Sequence, residues 1–353
     1  MTHTGTDELS ASALAANDPR DMLADALSLA DQLRDAVWKV ESAGLTPWES
    51  TGGLVIAGMG GSGVGGALAL AAIGDEASLP MSIAQGYELP TWTTPDTTVL
   101  CSSYSGDTEE TLACYEAAGA VGARRVVATT GGELGQLARR DGVPVIPIAG
   151  GLQPRAALGY VFTAAIEVAG LAGVAPRRTT ELDVAAAHLE ELAREWGPAG
   201  PDDSEPKQLA RQLHGSIPLI YGTGPTRPVA YRWKCQFNEN AKLHAFDHYL
   251  PELDHNELMG WERAADSGQF AAIFLEDDDL HPRIARRIEV TRDLIASQAA
   301  TTVVVPSRSG SRVERLLALT LLGDLTSIYL AALRSVDPSP IAGIDALKRA
   351  LAE

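Results

Sequence analysis

Residues 54–70, LVIAGMGGSGVGGALAL, carry an apolar run that is typical of a buried strand and that breaks into a glycine-rich loop. The residues after the loop predict a helix. Gly58, Gly60 and Gly63 satisfy the G-x-G-x-x-G pattern of dinucleotide-binding domains. The stretch therefore predicts a phosphate-binding loop, and it leaves open whether the phosphate belongs to a dinucleotide or to a smaller ligand.

Strands and helices alternate downstream of this loop, after a polar N-terminal stretch and a predicted helix over 21–42. The predicted strands are LVIAG, MSIAQ, TTVLCSS, RRVVATT and VPVIPI. The predicted helices cover residues 65–72, 109–121, 134–140 and 156–172. This alternation indicates an α/β fold with a parallel sheet covered by helices on both faces.

The second half of the chain repeats the first. SIPLIYGTGPTRPVAYRWK (216–234) again joins a strand to a helix through a glycine loop, and QFAAIFLED and TTVVVP predict further strands. Helices are predicted over 284–297 and 312–333. We interpret this as an internal duplication of one three-layer αβα unit. The predicted boundaries are 1–45 for an N-terminal extension, 46–175 for the first domain, 176–206 for a helical connector and linker, and 207–353 for the second domain.

Composition narrows the classes of function. A formal net charge of −18 argues against nucleic acid as a partner, because phosphate backbones are bound by basic stripes. The N-terminus lacks the basic and apolar regions of a signal peptide, and the three cysteines have no framework spacing, so we expect a cytoplasmic protein. Residues 54–74 are uncharged, but their seven glycines make a poor transmembrane helix, so no membrane span is predicted there.

A second loop decides between the two kinds of phosphate. The strand TTVLCSS is followed by a loop that contains Ser105, Gly106 and Thr108 and leads into a helix beginning EETL. A helix N-terminus attracts anions, although Ser, Thr and Asp are also ordinary helix caps. Both loops are expected at the carboxyl ends of their strands, where α/β sheets bind ligands. Together they favour one compact phosphate over a dinucleotide, and the acidic residue that binds NAD ribose is missing from the end of the second strand.

These motifs resemble a known family. GMGGSG followed by SSYSGDTEET resembles the sugar isomerase (SIS) domain, a flavodoxin-like unit that binds phosphosugars. Two such units in one chain resemble the bifunctional phosphoglucose/phosphomannose isomerases. Four further segments match that family in the same order along the chain: GGLQPRAALGY, FNENAK, DHNE and DPSPIAGIDALKRAL.

The resemblance implies an aldose–ketose isomerase that needs no cofactor and no metal. It would interconvert glucose 6-phosphate and/or mannose 6-phosphate with fructose 6-phosphate through a cis-enediol(ate). By motif, Glu239 is the base that shuttles the proton, Arg155 stabilises the enediolate, and Lys348 completes the site. His255 opens the ring and comes from the neighbouring subunit of a homodimer.

The same resemblance assigns the phosphate-binding residues. They are Gly60, Gly61, Ser62, Ser103, Ser105 and Thr108. The family often carries Asn where this chain has Asp107, so we expect that carboxylate to face away from the phosphate and to cap the helix that follows it. In the second half the corresponding loop reads FLEDDDLHP, whose carboxylates would repel a phosphate. One active site per chain is therefore expected.

Three other interpretations stay open from the sequence. His244 and His248, with nearby acidic residues, have the i, i+4 spacing of metal ligands on a helix, although Pro251 follows closely. An NAD-dependent oxidoreductase would use the glycine loop. A non-catalytic phosphosugar sensor would keep the serine loops without needing Glu239, His255 or Arg155.

Overall fold

The computed structural model of the chain describes residues 8–308 and 310–351, which divide into two compact units, each built around one parallel sheet. The first-sheet unit comprises residues 28–190 and 308–318, and the second-sheet unit comprises 1–27, 191–307 and 319–353, as far as these are described. The helices are α1 Ala11–Asn17, α2 Met22–Leu27, α3 Leu29–Ser42, α4 Gly60–Ile73, α5 Glu109–Ala120, α6 Gly132–Asp141, α7 Leu158–Leu171, α8 Thr179–Trp196, α9 Glu205–Leu213, α10 Arg227–Glu239, α11 Pro282–Ile295, α12 Arg312–Leu333 and α13 Ala342–Leu351.

The first sheet has the strand order β2-β1-β3-β4-β5, and all its strand pairs are parallel. Its strands are β1 Leu54–Ala57, β2 Met81–Ala84, β3 Thr98–Ser103, β4 Arg124–Thr129 and β5 Val145–Pro147. From β1 the chain crosses to β2 on one side and then returns to β3 on the other. The carboxyl ends of β1 and β3 therefore flank a topological switch point, where open α/β sheets bind ligands.

Helices cover both faces of this sheet, which makes the unit three-layered. Because alternate residues of a strand point to opposite faces, Val55 and Val99 pack on the side of α5 and α6, within one buried cluster. Ile56 lies on the other side, where a Cβ added to Gly66 of α4 would come within 2.8 Å of its Cγ2. Every residue of β1 and β3 is buried, as expected for parallel strands covered on both faces.

The second sheet has the order β7-β6-β8-β9, and its strand pairs are again parallel. Its strands are β6 Ile217–Thr223, β7 Phe246–Leu250, β8 Phe270–Glu276 and β9 Thr301–Pro306. This order repeats that of β2-β1-β3-β4, with β6 in the place of β1. The fold class predicted from the sequence, α/β with two parallel sheets, is therefore confirmed, and the matching strand orders support an internal duplication.

Most predicted elements are present, with some differences. The predicted helix over 21–42 is two helices that meet at Ser28, and the helix predicted from residue 65 already begins at Gly60. The edge strand β7 and the short helices α1 and α9 were not predicted, and the segment expected to be a linker up to residue 206 runs into α9 at Glu205. The domain boundaries at 45, 175 and 206 stay a prediction.

One helix among the described residues, α12, is long and apolar enough to cross a membrane by length and composition alone. However, 89% of its most apolar window is buried within the protein. That burial is the behaviour of a core helix in a folded domain.

Candidate active site

The glycine loop joins β1 to α4 at the switch point. A Cβ on Gly58 would lie 2.9 Å from the carbonyl oxygen of Ser102 and 3.1 Å from Cβ of Ser62, so the loop packs against the end of β3. Gly60 has φ +52°, a conformation that favours glycine. Met59, the N-cap residue of α4, supplies no side-chain acceptor to the first turn. The N–H groups of Ser62 and Gly63 donate to the carbonyl oxygen of Met59, so those of Gly60 and Gly61 are the ones that can receive an anion at the carboxyl edge of the sheet.

The hydroxyl loop joins β3 to α5 beside the glycine loop. Ser103 is buried, its Oγ accepts from the N–H of Gly106 (3.0 Å), and it lies 2.8 Å from Oγ1 of Thr108. Ser105 is exposed, and its Oγ accepts from the N–H of Asp107 at 3.2 Å. Thr108 is the N-cap residue of α5 but makes no side-chain capping bond, so its hydroxyl does not serve as the helix cap that its position allows.

Asp107 turns toward the next helix. Its Oδ1 accepts from the N–H of Glu133, in the first turn of α6, at 2.8 Å. The expectation that it caps the helix following it was therefore wrong, because the neighbouring helix α6 offers the free N–H group. Gly106 of the hydroxyl loop has φ +79° and lies close to the connection between β4 and α6. A Cβ at this position would lie 2.0 Å from the carbonyl oxygen of Gly131. The β4–α6 connection thus braces the hydroxyl loop.

Arg155 is 4% exposed, so it is a buried residue and not a surface arginine. It lies in a 3-10 helix, Pro154–Ala156, just before α7. A Cβ on Gly61 would lie 3.1 Å from the carbonyl oxygen of Pro154 and 3.3 Å from Cα of Arg155. A side chain at position 61 would therefore push the glycine loop away from residues 150–160, the arginine segment.

Two residues that the sequence reasoning missed hold the arginine segment in place. Gln32 of α3 donates through Nε2 to the carbonyl oxygen of Ala156 (2.8 Å) and accepts through Oε1 from the N–H of Gly159 (3.0 Å). The hydroxyl of Tyr104, within the hydroxyl loop, accepts from the N–H of Leu152 at 2.9 Å. The glycine loop, the hydroxyl loop and the arginine segment are thus linked within the first-sheet unit.

A cleft of about 510 Å³ lies at the carboxyl end of β2 and is lined by residues 83–90. It adjoins the glycine loop, since a Cβ on Gly63 would lie 2.5 Å from Nε2 of Gln85. Tyr87 donates through its hydroxyl to Oε2 of Glu109 at 3.2 Å. That bond, with the charge of Glu110, raises the pKa of Tyr87 above its ordinary value.

Glu239 is the last residue of α10 and is half-buried. Its neighbours are fixed: Asn240 is buried and donates through Nδ2 to Oγ of Ser327 (2.9 Å), and Oδ1 of Asn238 accepts from the N–H of Ala245 (2.9 Å). The ammonium of Lys242 donates to the main-chain carbonyl oxygens of Glu239 and Pro338. The segment FNENAK thus has a defined conformation around the carboxylate.

One turn before Glu239, burial raises the pKa of the Cys235 thiol, and the charge of Glu239 adds to the shift. The thiol is therefore neutral near pH 7 and brings no second negative charge to the end of α10. The other two cysteines, Cys101 and Cys114, are buried and free.

His255 is the last residue of a 3-10 helix, Glu252–His255, and its side chain is exposed. The residues around it are anchored. Asp254 accepts from Nη1 of Arg287 and from Oγ1 of Thr291, both at 2.8 Å. Two residues after His255, Glu257 accepts from the hydroxyl of Tyr221 at 2.6 Å. The imidazole is therefore presented to solvent on a fixed segment of the second-sheet unit.

Lys348 lies in α13, and every residue of this helix is exposed. The helix also exposes Ile344, Leu347 and Leu351, which share a face with Lys348 at helical spacing. The structure thus leaves Lys348 in solvent. Its predicted role near the substrate stays a prediction.

The structure tests the metal-site interpretation of the sequence. His244 and His248 do not share a helix face, because residues 246–250 form the edge strand β7. No group of three or more His, Cys, Asp or Glu side chains in the described part of the chain has a metal-binding arrangement. The helical metal pair suggested by the spacing of the two histidines is therefore wrong.

The corresponding loops of the second sheet are built differently. Oγ1 of Thr226 accepts from the N–H of Thr223 (2.8 Å) and donates to the carbonyl oxygen of Leu275 (3.0 Å), so it is occupied within the fold. The strand β8 then runs into the carboxylates of residues 276–279. These loops lack the open, hydroxyl-rich character of the first pair.

Two units built around parallel sheets, with a glycine loop and a hydroxyl loop at the switch point of the first, define a double SIS-type α/β protein. A solved structure with this fold is a glucose-6-phosphate isomerase-like protein from Thermus thermophilus, with a TM-score of 0.61 at 23% identity over 98% of this chain and 99% of that one. The family model described as the bacterial phospho-glucose isomerase C-terminal SIS domain matches residues 202–351.

Curated relatives make the assignment more specific. The chain is 39% identical to a bifunctional phosphoglucose/phosphomannose isomerase of Caldicellulosiruptor bescii, over 85% of this chain and 89% of the relative. It is 32% identical to the protein of the same name from Aquifex aeolicus, over 89% of this chain and 94% of that one. The chain belongs to the bifunctional phosphoglucose/phosphomannose isomerase family.

Proposed function

We propose that this protein is a sugar-phosphate isomerase that interconverts glucose 6-phosphate and/or mannose 6-phosphate with fructose 6-phosphate. The observation that carries the proposal is the convergence of the glycine loop, the hydroxyl loop and buried Arg155 within one unit of a chain from this family. Two helix N-termini and several hydroxyls suit one phosphate dianion. Arg155 supplies a cation beside them, in a protein whose overall charge is strongly negative.

In this proposal the phosphate anchors the sugar and the chemistry takes place at C1 and C2. The N–H groups of Gly60 and Gly61 and the hydroxyls of Ser62, Ser103, Ser105 and Thr108 bind the phosphate oxygens. The bound phosphate is remote from the reacting carbons, so its binding energy serves to position them.

The reaction is a proton transfer without a metal or redox cofactor. His255 and Lys348 assist ring opening by moving a proton between O1 and the ring oxygen O5. Glu239 then removes the proton from C2 of the aldose and returns it to C1, while O2 loses its hydroxyl proton and O1 gains one. Arg155 stabilises the negative charge of the enediolate between these steps. In the reverse direction Glu239 takes the proton from C1 and returns it to C2, which is planar in the enediolate. A turn of the C1–C2–C3 part of the intermediate presents either face of C2 to Glu239, so the glucose or the mannose epimer forms.

The assay that tests this function uses chelator-treated protein and fructose 6-phosphate, with glucose 6-phosphate and mannose 6-phosphate quantified separately. We expect at least one of the two products without added metal. Saturable binding of fructose 6-phosphate without any product would instead identify a phosphosugar sensor. A strict requirement for a divalent metal would overturn the proposed mechanism.

The proposal includes a homodimer in which His255 acts on the site of the partner, consistent with its exposure on an anchored segment. A mixed dimer of Glu239→Gln and His255→Ala chains, purified through two different tags, tests this. If His255 acts in trans, one of the two sites keeps both groups, and about half of the wild-type activity per dimer is expected. If it acts within its own chain, both sites are defective and the mixed dimer is inactive.

A further inference from the structure

A second cavity, of about 440 Å³, lies in the second-sheet unit. Phe246 and Phe270, the first residues of β7 and β8, are among its lining residues. The cavity is therefore at the amino ends of the strands, the opposite edge from the loops that bind ligands in open α/β sheets. Its volume is in the range of small-molecule sites.

The lining combines aromatic rings with carboxylates. The rings are those of Tyr221, Phe246, Trp261 and Phe270, and the carboxylates are those of Asp247 and Glu257. Neither a lysine nor an arginine is among the described residues that line it. An anionic ligand such as a phosphosugar would be repelled, whereas a cation would meet opposite charge and the negative faces of the rings.

The acidic end of the cavity is preorganised. Nε1 of Trp261 donates to the hydroxyl oxygen of Tyr221 (2.9 Å), which in turn donates to Oε1 of Glu257 (2.6 Å). Trp261 is 4% exposed and Tyr221 is fully buried, so this chain of hydrogen bonds is held by the core. The carboxylate of Glu257 is thereby fixed at the cavity. A ligand that pairs with it does not have to order it first.

We propose that this cavity is a second ligand site, which binds a small organic ammonium ion with an apolar or aromatic body. The body packs among Phe246, Trp261 and Phe270, and the charged group pairs with Glu257 and Asp247. Phe246 has an exposed side chain in the structure and becomes covered when the ligand binds. The ammonium ion keeps its charge because a carboxylate and aromatic faces replace the water that it loses.

Glu257 is expected to contribute more than Asp247, since burial disfavours the charged form of Asp247 and raises its pKa, and Lys234 already offers a positive charge to that carboxylate. The probe is benzyltrimethylammonium, titrated into the full-length protein by calorimetry, with phenylacetate as an anion of similar shape. We expect saturable binding of the cation and no binding of phenylacetate. Glu257→Gln should weaken the binding about tenfold and Asp247→Asn less, because each removes one charge and keeps the shape.

Asp278→Asn is the matched control, because it makes the same charge change at the carboxyl end of β8 and should leave the affinity unchanged. The inference is overturned if benzyltrimethylammonium does not bind, if phenylacetate binds equally well, or if Glu257→Gln binds the cation as tightly as the Asp278→Asn control. Since the readout is binding of a cation and not isomerisation, its outcome is independent of the proposed function.

Discussion

Ser105 differs from the other hydroxyl residues of its loop in being exposed. Ser103 is buried and lies within 2.8 Å of the Thr108 hydroxyl, so both are partly occupied within the protein. The Ser105 hydroxyl accepts one N–H bond and keeps its own proton for a ligand oxygen. It is therefore the hydroxyl most directly available to a phosphate at the N-terminus of α5.

We predict that Ser105→Ala raises the KM for fructose 6-phosphate about tenfold and changes kcat much less, because a hydrogen bond to a charged group is lost far from the reacting carbons. Steady-state kinetics measure this. Ser42→Ala, which removes an exposed hydroxyl at the end of α3, is the control. A KM equal to that of the wild type would remove Ser105 from the phosphate site.

The residues that support the site were less predictable than those proposed to bind the substrate. The motif residues lie in short glycine, serine and arginine segments with a recognisable order along the chain. Gln32 and Tyr104 contact the arginine segment from 124 and 48 positions away in sequence. A single long-range hydrogen bond leaves no local pattern, so only the folded structure reveals it.

The helix α10 determines where Glu239 lies. A buried ion pair between Arg232 and Asp324 holds α10 against α12. Nε and Nη2 of Arg232 donate to the two carboxylate oxygens of Asp324 in α12, at 3.0 and 2.7 Å. The side chains are 3% and 7% exposed. Nε1 of Trp233 also donates to the carbonyl oxygen of Leu319, at 2.8 Å. These bonds fix the helix whose last residue is the proposed base.

We predict that Asp324→Asn lowers the free energy of unfolding by about 3 kcal/mol, because it leaves the buried Arg232 guanidinium without a compensating charge. Urea denaturation at neutral pH measures the change. Asp202→Asn breaks the exposed pair with Arg211 and should cost less than about 1 kcal/mol. Equal losses in the two variants would show that the buried pair is not what holds α10.

The most deeply buried strands could be predicted from the sequence. The sequences of β1, β3 and β8 are apolar runs between turn residues, and the structure buries them almost completely. The edge strand β7 has exposed residues at its start and Pro251 directly after it, so its sequence has no comparable pattern. The early start of α4 was missed because glycine has a low helix propensity, although glycine at position 61 leaves the room that the close approach of Pro154 and Arg155 requires.

Both sheets share one topology, but their ligand-binding edges have diverged. After β1 and β3 the loops offer glycines and hydroxyls, whereas after β6 and β8 the Thr226 hydroxyl bonds to the protein and carboxylates follow. The sequence already indicated this asymmetry, because the glycines, hydroxyls and carboxylates of these loops can be identified without knowing how the chain packs. In the proposed mechanism each chain binds one phosphosugar, Glu239 and Lys348 come from the second unit, and His255 comes from the second unit of the partner chain.

The measurement that tests the central claim most directly is the turnover of fructose 6-phosphate by Glu239→Gln. The variant keeps the size and polarity of the side chain but cannot carry a proton away from carbon. We predict that kcat falls about a thousandfold while KM stays near the wild-type value, with Glu195→Gln, an exposed glutamate, fully active. Turnover by Glu239→Gln at the wild-type rate would contradict the assignment of Glu239 as the base.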